Sequence, residues 1–461
     1  MTPMANGAVV ELPGTRPDDG PRTLRRVLTL RDLLVYGMII MQVVAPIPIF
    51  GLLEQRSNNH AVLTVLGAML AMVITAVSYG RMATLYPMAG SAYTYVARAL
   101  NPHLGFVTGW CMLLDYMVIP LISAIIPALA IQRVIPSAPL PLLTFLIIAA
   151  MTGLNLRGIR ATLHANTALL FVTSVAVGAF LILAIRYLVL KAGWGGVLSL
   201  TPLYDPATFH AATVLSGISL AAMTYIGFDG LTTLSEDAVN PKRDMVIATV
   251  LIVVITGALS AIELYFLHSV LADWHLADPN TSYLDVMRTV GGSALFTTFL
   301  FVMSVSQFGS GFSVQVSAAR LLYGMGRDNV LPRALFGYLS PRRQNPSRNI
   351  ILVGVLAFTG TVFIPFDQAC DLLNFGAFLG FMGVNAATAW SYYLRPPVTH
   401  RRNLIADLLL PASGFLLCLI FWIGLPDRAK IVGGLWLLVG LIYCAYKTRG
   451  FRERPLLFNF N

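Results

Sequence analysis

Two carboxylates stand in stretches too apolar to hold water. Asp115 falls near the middle of a run from residue 103 to 131, within Leu113-Leu114-Asp115-Tyr116, and Asp229 falls in a run from 208 to 233, bracketed by Gly227 and Gly230. A charged side chain at the centre of a bilayer costs about 2.5 to 3.5 kcal/mol on insertion scales, so an acid kept there is expected to hold a cation or a proton. Asp115, with Tyr116 beside it, is positioned to pair with an ammonium group, an attraction that grows where water is excluded. Glu263 and His268 lie a little over one turn apart in the run from 244 to 268, and they are expected to pair with each other. Other chemistries find no support. The seven histidines are scattered, and no nucleophile elbow or metal-ligand spacing occurs, so a membrane-embedded enzyme is not expected. Cys111, Cys370, Cys418 and Cys444 fall in or beside four different apolar runs and read as ordinary buried thiols.

The backbone offers a second kind of chemistry. Pro46 and Pro48 share one turn of the run from 32 to 52, in Val43-Val44-Ala45-Pro46-Ile47-Pro48-Ile49-Phe50-Gly51. Each proline removes a donor and crowds the carbonyl four residues earlier, so an uninterrupted helix cannot pass. Non-helical backbone at membrane depth is tolerated where it is buried in protein or lines a cavity. A second interruption, Met223-Thr224-Tyr225-Ile226-Gly227-Phe228-Asp229-Gly230, falls in the run from 208 to 233. There each glycine weakens the helix by about 1 kcal/mol relative to alanine. Breaks recurring at corresponding positions of two halves point to a site at the bilayer midplane. Ala45, Pro46 and Ile47 are therefore candidate substrate contacts, as are Met223, Thr224, Tyr225 and Ile226, with Tyr225 placed to stack on an alkyl amine. Gln307 and Asn374 are polar positions on later apolar runs, able to bond a ligand or a neighbouring helix.

These groups must be held by membrane-spanning helices. The chain has 461 residues, 57% hydrophobic and 11% charged, with a mean hydropathy of +0.74; a soluble domain carries roughly 25% charged residues. Twelve stretches are able to cross a hydrocarbon core of about 30 Å: residues 32–52, 61–82, 103–131, 139–155, 163–189, 208–233, 244–268, 292–318, 348–365, 368–394, 404–424 and 429–446. With the basic segment Arg22-Thr23-Leu24-Arg25-Arg26 in the cytoplasm, 24 of the 31 Lys and Arg residues fall on cytoplasmic segments, as the positive-inside rule requires. Both termini are then cytoplasmic. The net charge of +10 reads as this orientation signal beside an anionic lipid leaflet, and no soluble module gathers it into a nucleic-acid surface. Residues 1–24, rich in Pro, Gly, Thr and Asp, read as a disordered cytoplasmic tail with no apolar core of a signal peptide.

Several spaced motifs carry a resemblance. Tyr86-Pro87-Met88-Ala89-Gly90-Ser91-Ala92-Tyr93-Thr94-Tyr95 with Asn101-Pro102-His103-Leu104-Gly105-Phe106 is similar to the signature after the second span of the amino acid, polyamine and organocation (APC) permeases. Gly227-Phe228-Asp229 followed by Ser235-Glu236 and Asn240-Pro241-Lys242-Arg243 resembles that family's sixth span and the loop after it. Arg320-Leu321-Leu322-Tyr323-Gly324-Met325-Gly326-Arg327-Asp328 and Leu373-Asn374-Phe375-Gly376-Ala377 resemble the loop after span eight and the start of span ten. Within the superfamily the likeness is greatest to bacterial putrescine importers, through Leu113-Leu114-Asp115-Tyr116, Thr232-Thr233-Leu234-Ser235-Glu236 and Gly326-Arg327-Asp328-Asn329-Val330.

The resemblance implies an all-α integral membrane protein of the bacterial inner membrane with 12 transmembrane helices. It implies a five-plus-five inverted repeat (residues 25–190 and 205–396) with discontinuous helices 1 and 6, two additional C-terminal helices over 402–447, and a short tail from 448. It also implies proton-coupled or exchange transport of an amine or amino acid by alternating access, with no cofactor. Asp229 takes the place of an acidic residue linked in related permeases to proton coupling and gating. Glu236 is expected at the cytoplasmic mouth, capping or pairing with Lys242 or Arg243. Two departures bear on the substrate. Many amino acid transporting relatives hold a carboxylate on the free N–H groups of a Gly-Ser-Gly type break, whereas Ala45-Pro46-Ile47-Pro48 lacks two of those donors, which favours an amine over a zwitterion. Met223 stands where many relatives place an aromatic ring, and span five contains no lysine of the kind some proton-coupled relatives use. An amino acid permease or exchanger, and a non-transporting nutrient sensor on the same scaffold, are the alternatives.

Overall fold

The computed structural model describes residues 28–87, 91–157, 162–235, 238–271, 278–327, 331–340, 345–398 and 400–452, with the side chains of 162–169, Thr233 and Arg327 left aside. The tail 1–24, Met88 to Gly90 of the second-span motif, Glu236, and Asp328 to Val330 lie outside the described residues.

The first apolar run forms two short helices, α1 (Leu30–Met41) and α2 (Phe50–Ser57). Thr29 and Asp32 close a reciprocal capping box at the start of α1, satisfying donors that an isolated helix end would leave bare. After α3 (Ala61–Leu85), the short α4 (Ser91–Ala99) leads into α5 (Pro102–Val134). Asn101 caps α5 and Pro102 occupies its first turn, where a missing N–H costs nothing. Then come α6 (Leu140–Arg157) and α7 (Thr162–Val197), and the sixth run splits into α8 (Ala211–Ala221) and α9 (Phe228–Leu231). α10 (Pro241–Val270), α11 (Ser282–Arg327), the one-turn α12 (Arg333–Phe336), α13 (Ser347–Phe363) and α14 (Phe366–Ala389) follow. The described chain ends with α15 (Leu410–Ile423) and α16 (Asp427–Lys447). Gly292, at φ 63°, turns the first stretch of α11 away from the long apolar part that follows, a backbone angle that side chains other than glycine seldom adopt.

Among the described residues the protein is helical, with a single bridge in place of any sheet: the Val239 N–H donates to the Leu28 carbonyl at 2.9 Å, joining the entry to α1 and the loop before α10. Ten helices among the described residues are long and apolar enough to cross a membrane. The expected first span is divided into α1 and α2, and the expected ninth is the 17-residue α13, so neither reaches that length by itself.

α3 packs along α10, and α5 runs against both α11 and α14. α14 lies deepest, with 78% of its most apolar window buried, whereas α16 has only 22% buried and rides on α5 and α14 from outside. A ridge of Gly376, Gly380 and Gly383 lets α14 approach α5. A Cβ added at Gly380 would stand 3.0 Å from the Met112 side chain, one at Gly383 would stand 3.0 Å from the Thr108 hydroxyl, and one at Gly376 would run into the Cys111 carbonyl. Such small-residue seams serve where lipid supplies no hydrophobic drive and close van der Waals contact must do the holding.

Candidate functional site

Both predicted interruptions are present, and they meet. After Met41 the chain turns at Gln42, whose φ is 56°, passes Ala45 and Pro46, and makes a 3-10 turn over Ile47–Ile49 before α2 begins. The second break runs through a 3-10 turn at Ala222–Tyr225, an extended Ile226 and Gly227 at φ 124° before α9 resumes. A Cβ on Gly227 would lie 2.7 Å from the Ile40 side chain, so the second break rests directly against the end of α1.

The donors of the first break are consumed locally. Pro46 and Pro48 have none, while the N–H groups of Ala45 and Ile47 donate to the carbonyls of Gln42 and Val44 at 3.0 and 3.2 Å. A substrate carboxylate would find no vacant N–H at these four positions. Asp229 follows the second break, where the Gly227 N–H donates to its carboxylate at 3.1 Å and holds it at the mouth of α9. Asp115 is buried on α5, and one of its carboxylate oxygens has no hydrogen-bond partner among the described residues. Asp115 and Asp229 lie close enough to interact electrostatically with each other and with the same two tyrosines, Tyr79 on α3 and Tyr116 on α5. Among the described residues neither acid is ion-paired. Two buried acids, neither ion-paired among the described residues, are groups that a cation or a proton would satisfy.

The remaining candidates divide by what their side chains touch. Asn374 donates from its amide to the carbonyls of Ser219 and Leu220 at 2.8 and 3.3 Å, taking up acceptors that the end of α8 leaves open. Thr224 turns its hydroxyl back onto the Ala221 carbonyl at 2.7 Å. Tyr225 is fully buried and donates to the Val65 carbonyl at 2.8 Å, beside Gly257, so its ring is packed between α3 and α10. Gln307 donates to the Gln42 side chain at 3.2 Å, and Gln42 donates in turn to the Ser306 carbonyl. Gln307 thus braces the first break. Met223 and Ile226 are half-buried at the second break, Ala45 is half-buried at the first, and Pro46 and Ile47 are buried.

The expected pairing of Glu263 with His268 is corrected. Five residues at 3.6 per turn place these side chains about 140° apart around the helix. His268 instead reaches across to Glu54 on α2, with Nδ1 3.0 Å from the carboxylate, while both Glu263 oxygens are buried without a partner among the described residues. Two residues along α2, Arg56 forks onto both oxygens of Asp371 on α14. A cavity of about 280 Å³, lined by Leu52, Gln55, Arg56, Pro279, Asn280 and Asp367, opens beside that fork. At the opposite end of the bundle Arg81 bonds Asp407 and stacks over the Tyr392 ring, tying α3 to the turns before α15. The four cysteines are buried free thiols.

Comparison with known proteins gives matches along nearly the whole chain. The profile of the family described as amino acid permease covers residues 51–440. The chain is 31% identical over 444 residues to the low-affinity putrescine importer PlaP of Escherichia coli, spanning 95% of this chain and 97% of that protein. It is 27% identical over 473 residues to the branched-chain amino acid permease BcaP of Lactococcus lactis subsp. cremoris, at 94% and 96% coverage. To the methylthioribose transporter of Bacillus subtilis it is 23% identical, at 93% and 95% coverage. The chain matches these transport proteins over nearly its whole length and theirs, and it belongs to the amino acid permease family, whose members are membrane transporters and not enzymes.

Proposed function

We propose that the protein imports a small amine, putrescine or a close relative, across the bacterial inner membrane by proton-coupled alternating access. The observation that carries this reading is the pair of buried acids, Asp115 and Asp229, within Coulomb range of each other and without a cationic partner among the described residues. A dication can pair with both; a zwitterion brings a carboxylate for which Ala45 to Pro48 of the first break keep no vacant donor. The putrescine importer relative supports the same class of substrate. In this mechanism residues 25–190 and 205–396 act as inverted halves of a 12-helix protein, α15 and α16 flank them, and both termini face the cytoplasm. Asp229 gains and loses the coupling proton as its surroundings open. The branched-chain amino acid permease relative keeps amino acid transport as the second reading.

Uptake by protein reconstituted in sealed vesicles tests this. A pH gradient, acidic outside, is expected to drive accumulation of labelled putrescine, and unlabelled amines are expected to compete where branched-chain amino acids do not. Asp229→Asn should abolish the dependence on the gradient, and Asp115→Asn should weaken substrate binding by roughly tenfold or more, the scale of a lost hydrogen bond to a charged group. Gradient-driven accumulation of amino acids alone would replace the amine reading with the second.

A further inference from the structure

Tyr79 carries no motif, and none of the matched signatures includes it. It lies on α3, fully buried, and its hydroxyl has no hydrogen-bond partner among the described residues. A buried hydroxyl without a partner costs about 1 to 3 kcal/mol, so a native protein keeps one for a reason. Its ring stands edge-on to Phe228 of the second break at 5.3 Å and to Phe381 of α14 at 5.8 Å, and these two rings are themselves 5.3 Å apart. The hydroxyl is directed at the glycine ridge: a Cβ on Gly380 would lie 4.0 Å from it. One turn along that ridge, a Cβ on Gly376 would lie 3.4 Å from the Asp115 backbone nitrogen. The unpartnered hydroxyl and the backbone of Asp115 thus flank one short stretch of α14, and the Asp115 side chain, one oxygen of which is unpartnered among the described residues, interacts electrostatically with Tyr79, as does Asp229.

We propose that Tyr79 is a substrate-binding residue whose hydroxyl, together with the free oxygen of Asp115, accepts N–H bonds from one ammonium end of an alkyl amine. The reading rests on the amine transport proposed above. A primary ammonium has three N–H donors and satisfies both orphaned acceptors at once. An end methylated twice keeps one donor and leaves an acceptor empty. The ring walls of Tyr79, Phe228 and Phe381 receive the first methylene groups of the chain. Tyr79 is in this way a specificity residue, selecting primary over tertiary amines.

Titration calorimetry on the purified full-length protein tests it, with putrescine and its N,N,N′,N′-tetramethyl derivative as probes. Tyr79→Phe keeps the ring and its packing. It is expected to weaken putrescine binding by roughly ten- to a hundredfold, the range for one hydrogen bond to a charged group, and to leave the tetramethyl compound nearly unchanged. The unliganded variant should unfold at the same temperature as the parent or higher, because an unsatisfied polar group has been removed. Tyr283→Phe, which deletes another buried unpartnered hydroxyl outside the cluster, should leave putrescine affinity as it was. An affinity of Tyr79→Phe for putrescine within twofold of the parent overturns the assignment, and so does an equal loss for both probes. If the parent protein binds amino acids but neither amine, the amine reading itself falls and this proposal with it.

Discussion

Gln42 carries the first broken span through a backbone angle that side chains avoid. Its φ of 56° with ψ of 115° costs on the order of 1 to 3 kcal/mol for a residue with a Cβ, and the surroundings over-determine it through the amide contacts to Gln307 and Ser306. Gln42→Ala keeps the strain and loses the tether, whereas Gln42→Gly loses both. The alanine variant should therefore be the less stable of the two by about 1 kcal/mol, read as a lower thermal unfolding midpoint in detergent. Equal midpoints would mean that no strain resides at this position. The two acids stand out in the sequence because a carboxylate inside an apolar run must either bond a neighbouring helix or be held for a ligand or proton. Gln42 and Tyr79 were not legible: a glutamine is not a residue type that signals a positive φ, and Tyr79 is one of 17 tyrosines in the chain, distinguished only by neighbours from distant segments. Tyr225, beside the break in sequence, proves to bond the Val65 carbonyl and pack between α3 and α10.

At the scale of elements, α2 is tied down at two points within eight residues. Eight residues grip two different helices, through Arg56 to Asp371 on α14 and through Glu54 to His268 on α10. Removing one partner of a buried pair leaves the other charge without compensation, at a typical cost of about 3 to 5 kcal/mol, while an apolar pair of similar volume is often neutral. Arg56 remains partly exposed, so the lower end of that range applies. Arg56→Ala is expected to lower the unfolding midpoint clearly, and Arg56→Met with Asp371→Leu to recover most of it. If the double variant is no better than the single one, the fork matters for more than charge balance. Prolines and glycines announced both breaks, because their effect is local and written in residue type. The grip of α2 was not announced, since nothing near Glu54 and Arg56 in the sequence points to partners on α10 and α14, and the pairing of Glu263 with His268 that the spacing suggested gives way to a contact between helices.

For the molecule as a whole, the order of apolar segments predicts the order of helices well, since each is set by its own composition; which helix touches which is set by pairwise fit, such as the glycine ridge on α14, and no single segment encodes that. The proposed orientation puts Arg31 and Asn280 on opposite sides of the membrane. The native thiols are all buried, so cysteines introduced at these two positions can be read against a low background. In right-side-out vesicles an impermeant maleimide should label Asn280→Cys and spare Arg31→Cys until the membrane is permeabilised; the reverse pattern would invert the topology. The bridge between Leu28 and Ala238 fastens the chain just before the first broken span to the chain just after the second. A tilt of α1 that keeps this bond carries the root of α10 with it, and one that breaks it costs about 0.5 to 1.5 kcal/mol, so the linkers behind the two discontinuous spans are joined on that face.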